Sequence, residues 1–96
     1  MKTKVMFKFR LYIVGDTPNS TQALANLKTI CRTHLVGRHE IEIVDVLLEP
    51  GRALADGILM TPTLIKCLPA PVRKIIGTLS QTEPVSRALG IVEVFA

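Results

Sequence analysis

From Val5 to Val14 the chain alternates with a period of two. Val5, Phe7, Phe9, Leu11 and Ile13 fall in one phase, and Met6, Lys8, Arg10, Tyr12 and Val14 in the other. That period, in a run rich in aromatic and β-branched residues, predicts a strand ended by Gly15. Thr17 is placed to cap a helix, and Pro18 suits the first helical position, where its missing N–H costs nothing. Ala23, Leu24, Leu27, Ile30, Cys31 and Leu35 then recur at spacings of three and four. They predict an amphipathic helix that stops near Gly37. Ile41, Ile43, Val44 and Val46, with Glu40, Glu42 and Asp45 among them, predict a second strand.

The second half is less regular. Pro50 to Leu59 carries Gly51 and Gly57 and supports at most a short helix. Thr63 to Leu68 predicts a third strand and Val72 to Leu79 a fourth, with Pro69 and Pro71 punctuating the turn. Ser80 to Glu83 has capping-box spacing, and Val85, Ala88, Leu89 and Val92 continue at helical intervals. The start, strand–helix–strand, implies a parallel pair with a right-handed crossover. The short Pro69-Ala70-Pro71 turn fits an antiparallel pair. The expected fold is therefore α/β and thioredoxin-like, βαβ(α)ββα, in a single domain over residues 1–96. One segment conflicts with itself: Gly90-Ile91-Val92-Glu93-Val94-Phe95 reads as a strand, yet Ser80 to Val92 reads as a helix.

Composition narrows the function classes. A chain of 96 residues that is 48% apolar can build one core, of the modest size that oligomerisation often supports. The net charge is +4, but the basic residues are scattered. The aromatics are only Phe7, Phe9, Tyr12 and Phe95, so the clustered cations and stacking rings of a nucleic-acid module are not seen. The run Met6 to Arg10 is too short and too charged to span a membrane. A cytoplasmic protein is expected. Cys31 and Cys67 form neither a CxxC nor a metal-ligand cluster, and they are expected to be small apolar residues left unpaired in the cytosol. His34 and His39 fall where they can serve a helix end, and Asp16 where it can serve a turn. No phosphate loop, catalytic constellation, metal site or cofactor motif is present. Redox chemistry on this fold needs a thiolate at the start of the first helix, where this chain has Gly15-Asp16-Thr17-Pro18.

Four phrases, in order, resemble one family. Leu11-Tyr12-Ile13-Val14-Gly15-Asp16-Thr17-Pro18-Asn19-Ser20 looks like the KaiB signature of a strand ending in Leu-Tyr-Val-x-Gly-x-Thr-Pro-x-Ser. Val44-Asp45-Val46-Leu47-Leu48-Glu49-Pro50 is similar to that family's second strand and turn. Ile58 to Leu64 and Leu68 to Gly77 follow in the family's order and spacing. The resemblance implies a non-catalytic clock protein that binds a KaiC-like ATPase ring. It brings in a KaiA-like protein or a clock-output sensor kinase as further partners, and a homo-oligomer, dimer or tetramer, at rest. It also implies two packings: the thioredoxin-like one and an alternative ground-state one.

Within that frame Lys66, Arg73 and Lys74, all in the second half, are candidate contacts to an acidic partner surface. Pro62, Pro69 and Pro71, with Ala88 and Gly90, are candidate positions for a change of packing, and a cis peptide before Pro62 is expected. The chain departs from the family where Glu42 replaces a lysine, where Gln22 and Ala25 replace basic residues, and where Ala88 replaces a glycine. These exchanges leave room for a diverged partner or for a role outside a clock, as a stress-related protein-binding module.

Overall fold

The computed structural model describes residues 5–91. Seven elements follow one another: β1 (Phe7–Ile13), α1 (Pro18–His34), β2 (His39–Asp45), α2 (Pro50–Ala55), β3 (Thr63–Leu68), β4 (Arg73–Ile76) and α3 (Thr82–Ala88). The four strands form one sheet in the order β2-β1-β3-β4. β1 runs parallel to β2, with Arg10 beside Glu42. β3 is antiparallel to both β1 and β4, and Lys66 faces Arg73 across the β3–β4 ladder. The fold is thioredoxin-like, as expected, with the parallel β1–β2 and antiparallel β3–β4 pairs that the connections predict. The third strand has its predicted bounds. The first and fourth are shorter, because Val5 and Met6 are exposed ahead of β1 and Gly77 leaves the strand with φ +118.

Both faces of the sheet are covered, which explains why both phases of β1 matter. Phe7, Phe9 and Leu11 pack with Ala23, Leu27, Ile30, Cys31 and Leu35 of α1 and its end, and with Leu64, Val85 and Leu89. Tyr12, from the other phase, is fully buried with Val44, Ala53 and Ile65 on the α2 side. A tyrosine can be buried there because its hydroxyl finds partners. Asn26 reaches from α1 to the carbonyl of Thr78 at 2.7 Å, tying α1 to the segment before α3.

The helix ends are built differently from the predicted caps. Thr17 does stand at the N-cap of α1 with Pro18 next, yet its hydroxyl caps no amide. It donates instead to Ser20 Oγ at 2.8 Å, and that oxygen accepts the Val14 N–H at 3.1 Å. The Ser80–Glu83 capping box does not form. Gln81 is the N-cap of α3, Ser80 Oγ meets Thr78 Oγ1, and Glu83 pairs with Arg87 one turn on. Ala88, predicted on the apolar stripe, is exposed, and Val92 lies outside the described residues. α3 stops because Gly90 takes a left-handed conformation, φ +73. The Ile91 N–H returns to Ser86 O at 2.9 Å and the Gly90 N–H to Arg87 O at 3.1 Å, a Schellman ending. Leu79 also has positive φ, 63, a conformation that costs a non-glycine residue about 1–2 kcal/mol. Burying its side chain in the α1/α3 core stabilises by a similar or larger amount, about 1.5–3 kcal/mol.

Candidate functional site

The turn leaving β1 and the turn leaving β2 meet at one carboxylate. Asp45 Oδ2 accepts the Gly15 N–H at 3.0 Å and Oδ1 accepts the Leu47 N–H at 2.9 Å. Asp16 stands exposed in the turn between β1 and α1, as expected, while Asp45 supplies the side-chain bonds that tie the two turns together. His39 serves the helix end as expected: Nδ1 lies 2.8 Å from the Leu35 carbonyl. A carbonyl only accepts, so that nitrogen carries the proton.

From Leu47 to Met60 the chain places large apolar side chains in water. Leu47, Leu48, Leu54 and Met60 are mostly exposed, and Leu59 is 94% exposed. All of them flank or belong to α2, which buries only Ala53. Large apolar surface left exposed in one region is the usual mark of a protein-binding surface. The sequence placed a weak helix here without singling out these side chains, since a Gly-flanked segment with irregular spacing shows no face.

The three candidate cations do not form one patch. Arg73 and Lys74 are exposed on β4, an edge strand. Lys74 Nζ is already engaged, donating to the Asp56 carbonyl at the end of α2. Lys66 is a correction to the expectation of an exposed contact. It is 3% exposed, with its ammonium 6.0 Å from the centre of the Phe7 ring. The alternation of β3 explains this: Leu64 and Lys66 share the face that α1 and α3 cover. Burial, with Arg73 adding repulsion, pushes the Lys66 ammonium below the usual lysine range. In this conformation Arg73 is the candidate that offers a charge to a partner.

Of the candidate switch positions, Pro62, Pro69 and Pro71 all follow cis peptide bonds, from Thr61, Leu68 and Ala70. The bond before Pro62 is as expected. Ala88 and Gly90 lie at the end of α3, one exposed in the last turn and the other ending it.

A polar cluster that the sequence did not reveal joins α2 to the sheet. Arg10 of β1 donates through Nε to Glu42 Oε1 and through Nη1 to Asp56 Oδ2, each at 2.9 Å. Arg52 grips Glu42 with both terminal nitrogens, at 2.8 and 2.9 Å. The Tyr12 hydroxyl lies 2.5 Å from Asp56 Oδ2 and 3.2 Å from the Arg52 carbonyl; with one proton, it donates to the nearer carboxylate. The Arg52 and Arg10 bonds hold Glu42 down at about 2. Asp56 is lowered by Tyr12 first and then Arg10. In the sequence Glu42 stands out only as a departure from the family, and the fold shows which charges it faces.

Chemically reactive groups are not gathered. Cys31 is buried beneath the sheet, where desolvation pushes its thiol up to about 11. Cys67 is half-buried on the opposite face of β3, and both sulfurs are free. An open groove of about 430 Å³ between β4 and α3 is lined by Ile75, Leu79, Val85 and Ala88, with Thr78 and Ser80 at its polar side. None of its lining residues carries a titratable group. Among the described residues no three His, Cys, Asp or Glu side chains could hold a metal ion, and no helix is long and apolar enough to cross a membrane.

Known proteins agree with this architecture. By shape the chain is similar to the N-terminal domain of Synechococcus elongatus SasA, with TM-score 0.72 and 17% identity over 100% of this chain and 94% of that one. It is also similar to mitochondrial thioredoxin 3 of Saccharomyces cerevisiae, with TM-score 0.71 and 12% identity over 93% of this chain and 81% of that one. By sequence it is 49% identical over 83 residues to the circadian clock protein KaiB3 of Synechocystis, covering 86% of this chain and 81% of that protein. It is 48% identical over 85 residues to the circadian clock oscillator protein KaiB of Nostoc punctiforme, covering 88% and 82%. The KaiB domain model matches residues 10–91, and with these identities the chain belongs to the KaiB family of circadian clock proteins.

Proposed function

We propose that this protein is a non-catalytic regulator that acts in the cytoplasm by docking on a KaiC-like ATPase ring and modulating its phosphorylation cycle. The observation that carries the reading is the exposed apolar run around α2, with Leu54 80% exposed on the helix and Leu59 94% exposed just after it. Such side chains lose water on docking and supply the non-directional part of the affinity. Arg73, on the edge strand, steers an acidic partner surface toward the protein. The support for the ring as partner is family membership. The lack of a thiolate at the start of α1 and of any titratable group in the groove supports a regulatory role.

The test is sizing chromatography and pull-down with the cognate KaiC-like ATPase in its different nucleotide states, using the wild-type chain and Leu54→Asp. Wild-type binding that Leu54→Asp abolishes, with circular dichroism unchanged, supports the reading. No complex in any nucleotide state removes it. The same sizing experiment reads the oligomeric resting state and reports binding of a KaiA-like protein or of a clock-output sensor kinase. A second reading, a KaiB homologue working outside a clock, is favoured by Glu42. In this chain that carboxylate is occupied by Arg10 and Arg52, so β2 presents no cation there to a clock partner.

A further inference from the structure

α2 has six residues and buries one of them, Ala53. A helix that short does not persist by its own hydrogen bonds, so what holds it must come from outside. Ala53 packs with Tyr12, Val44 and Ile65, which fixes its middle. The ends are held by charge. At the first turn Arg52 makes a fork onto both oxygens of Glu42, and Glu49 adds a longer contact to Arg52 at 3.6 Å. At the last turn Asp56 receives Tyr12 and Arg10, while its carbonyl accepts from Lys74. Arg10 touches the carboxylates of both ends, Glu42 and Asp56. The ties therefore reach three strands, β1, β2 and β4, and Arg10 links the Glu42 and Asp56 groups.

We propose that Glu42 and Arg10 are positioning residues: through Arg52 and Asp56 they clamp α2 on the sheet so that Leu54 faces a protein partner. The docking half of this inference rests on the function proposed above; the clamp itself does not. The partner it fits is one with an apolar docking surface. The arginines and carboxylates around the helix are matched to one another, which leaves Leu54 as the part of α2 to be read. Bidentate and shared ion pairs of this kind define geometry better than isolated ones. Arg10, Asp56, Arg52 and Glu42 are each partly exposed, from 26% for Arg10 to 39% for Glu42, so salt reaches these ion pairs and screens them. With Glu42 held at about 2 by Arg52 and Arg10, the clamp stays ionised throughout the physiological pH range. Ionic strength, rather than pH, is what loosens it there.

Amide hydrogen exchange on the whole free protein tests the clamp without a partner. The probes are the Asp56, Gly57 and Ile58 amides, which bond to the carbonyls of Arg52, Leu54 and Ala53. In Glu42→Gln they are expected to exchange about five- to tenfold faster, the scale of losing a small ion-pair network, while Leu64 and Ile65 in β3 do not change. Raising salt to about 1 M, where the Debye length is about 3 Å, should accelerate the same amides in the wild type and barely affect the variant. In the double variant Glu42→Gln/Arg52→Gln the effect should fall short of the sum of the two single ones, since both remove the shared Arg52–Glu42 pair. α2 amides that keep their wild-type rates in Glu42→Gln overturn the clamp, as does an acceleration spread evenly over the sheet. Ring affinity is the separate readout for docking. It should fall in Glu42→Gln in step with α2 exchange, and unchanged affinity beside faster exchange overturns the positioning role. A wild-type chain that binds no ring overturns the docking half and the functional reading together, and the exchange rates still decide the clamp.

Discussion

The Lys66 ammonium lies 6.0 Å from the centre of the Phe7 ring, and the residue that carries it is 3% exposed. The ring face offers a cation–π contact, but it replaces little of the lost water, and the pKa is pushed down by burial and by Arg73 across the ladder. Between that lowered value and the ordinary lysine value the unfolded chain holds more protons than the folded one. Stability therefore rises with pH across this alkaline window, and the cost of the charge is present in full below it. Lys66→Met is expected to stabilise the protein at neutral pH by about 1 kcal/mol, because a buried charge gives way to an apolar side chain of similar shape. Urea unfolding at neutral and alkaline pH measures both effects. A less stable Met variant would show that the ammonium contributes net favourable contacts.

Gly90 ends α3 in a left-handed conformation that a Cβ disfavours, although the space itself is open: the nearest atom to an added Cβ is Lys66 Nζ at 3.6 Å. Gly90→Ala should thus destabilise this packing by about 1–2 kcal/mol through backbone strain alone. Ala88→Gly, in the exposed last turn, should cost less, about 0.5–1 kcal/mol. Equal costs in denaturant unfolding would argue against a helix stop at Gly90.

Arg73 and Lys74 sit side by side but should respond differently to reversal. Arg73→Glu is expected to lower affinity for an acidic partner surface, most visibly at low salt, with stability changed by less than about 0.5 kcal/mol. Lys74→Glu removes the cation from the Asp56 carbonyl and should loosen the end of α2. Calorimetry of the free protein, beside binding titrations at two salt concentrations, separates them. Identical behaviour of the two variants would return them to a single surface patch.

The self-conflicting C-terminal segment predicts exchange between two packings. NMR exchange spectra at several protein concentrations are expected to show two peak sets for residues 50–96 and one for the first half. The second set should grow with concentration as the oligomeric form fills. One set at every concentration removes the switching proposal for this chain.

The succession of elements was legible because the hydrophobic period changes cleanly from two to about 3.6 and back in the first half, and the connections marked β1–β2 as parallel and β3–β4 as antiparallel. The sequence also marked the bounds of β3, where Thr63 and Leu68 adjoin turn residues. What it concealed lies in three dimensions. Lys66 reads as a solvated charge until both sides of β3 are seen to be covered. Arg10, Glu42, Arg52 and Asp56 belong to β1, β2, α2 and the residue that ends α2, as far as 46 residues apart for Arg10 and Asp56, and no local spacing joins them. Thr17 and Ser80 carry cap signals, yet their hydroxyls find another side-chain oxygen nearer than the helix amides. Leu54 and Leu59 carry no signal as a surface, because exposure is a property of what fails to pack on a residue.

The ladder between β1 and β3 is where the two halves of the chain are hydrogen-bonded strand to strand, and its register slips between Lys8 and Phe9. On its far side β1 is fully paired with β2, from Phe7 with His39 to Ile13 with Asp45. The protein thus has a seam. A load applied across the sheet, whether by a partner pulling on β4 or by denaturant, meets the unbroken parallel ladder on one side and the slipped antiparallel one on the other. Opening should start at Lys8 and Leu68 and run toward Tyr12 and Thr63. It would release β3, β4 and α3 as a unit, and leave the first strand–helix–strand joined behind it.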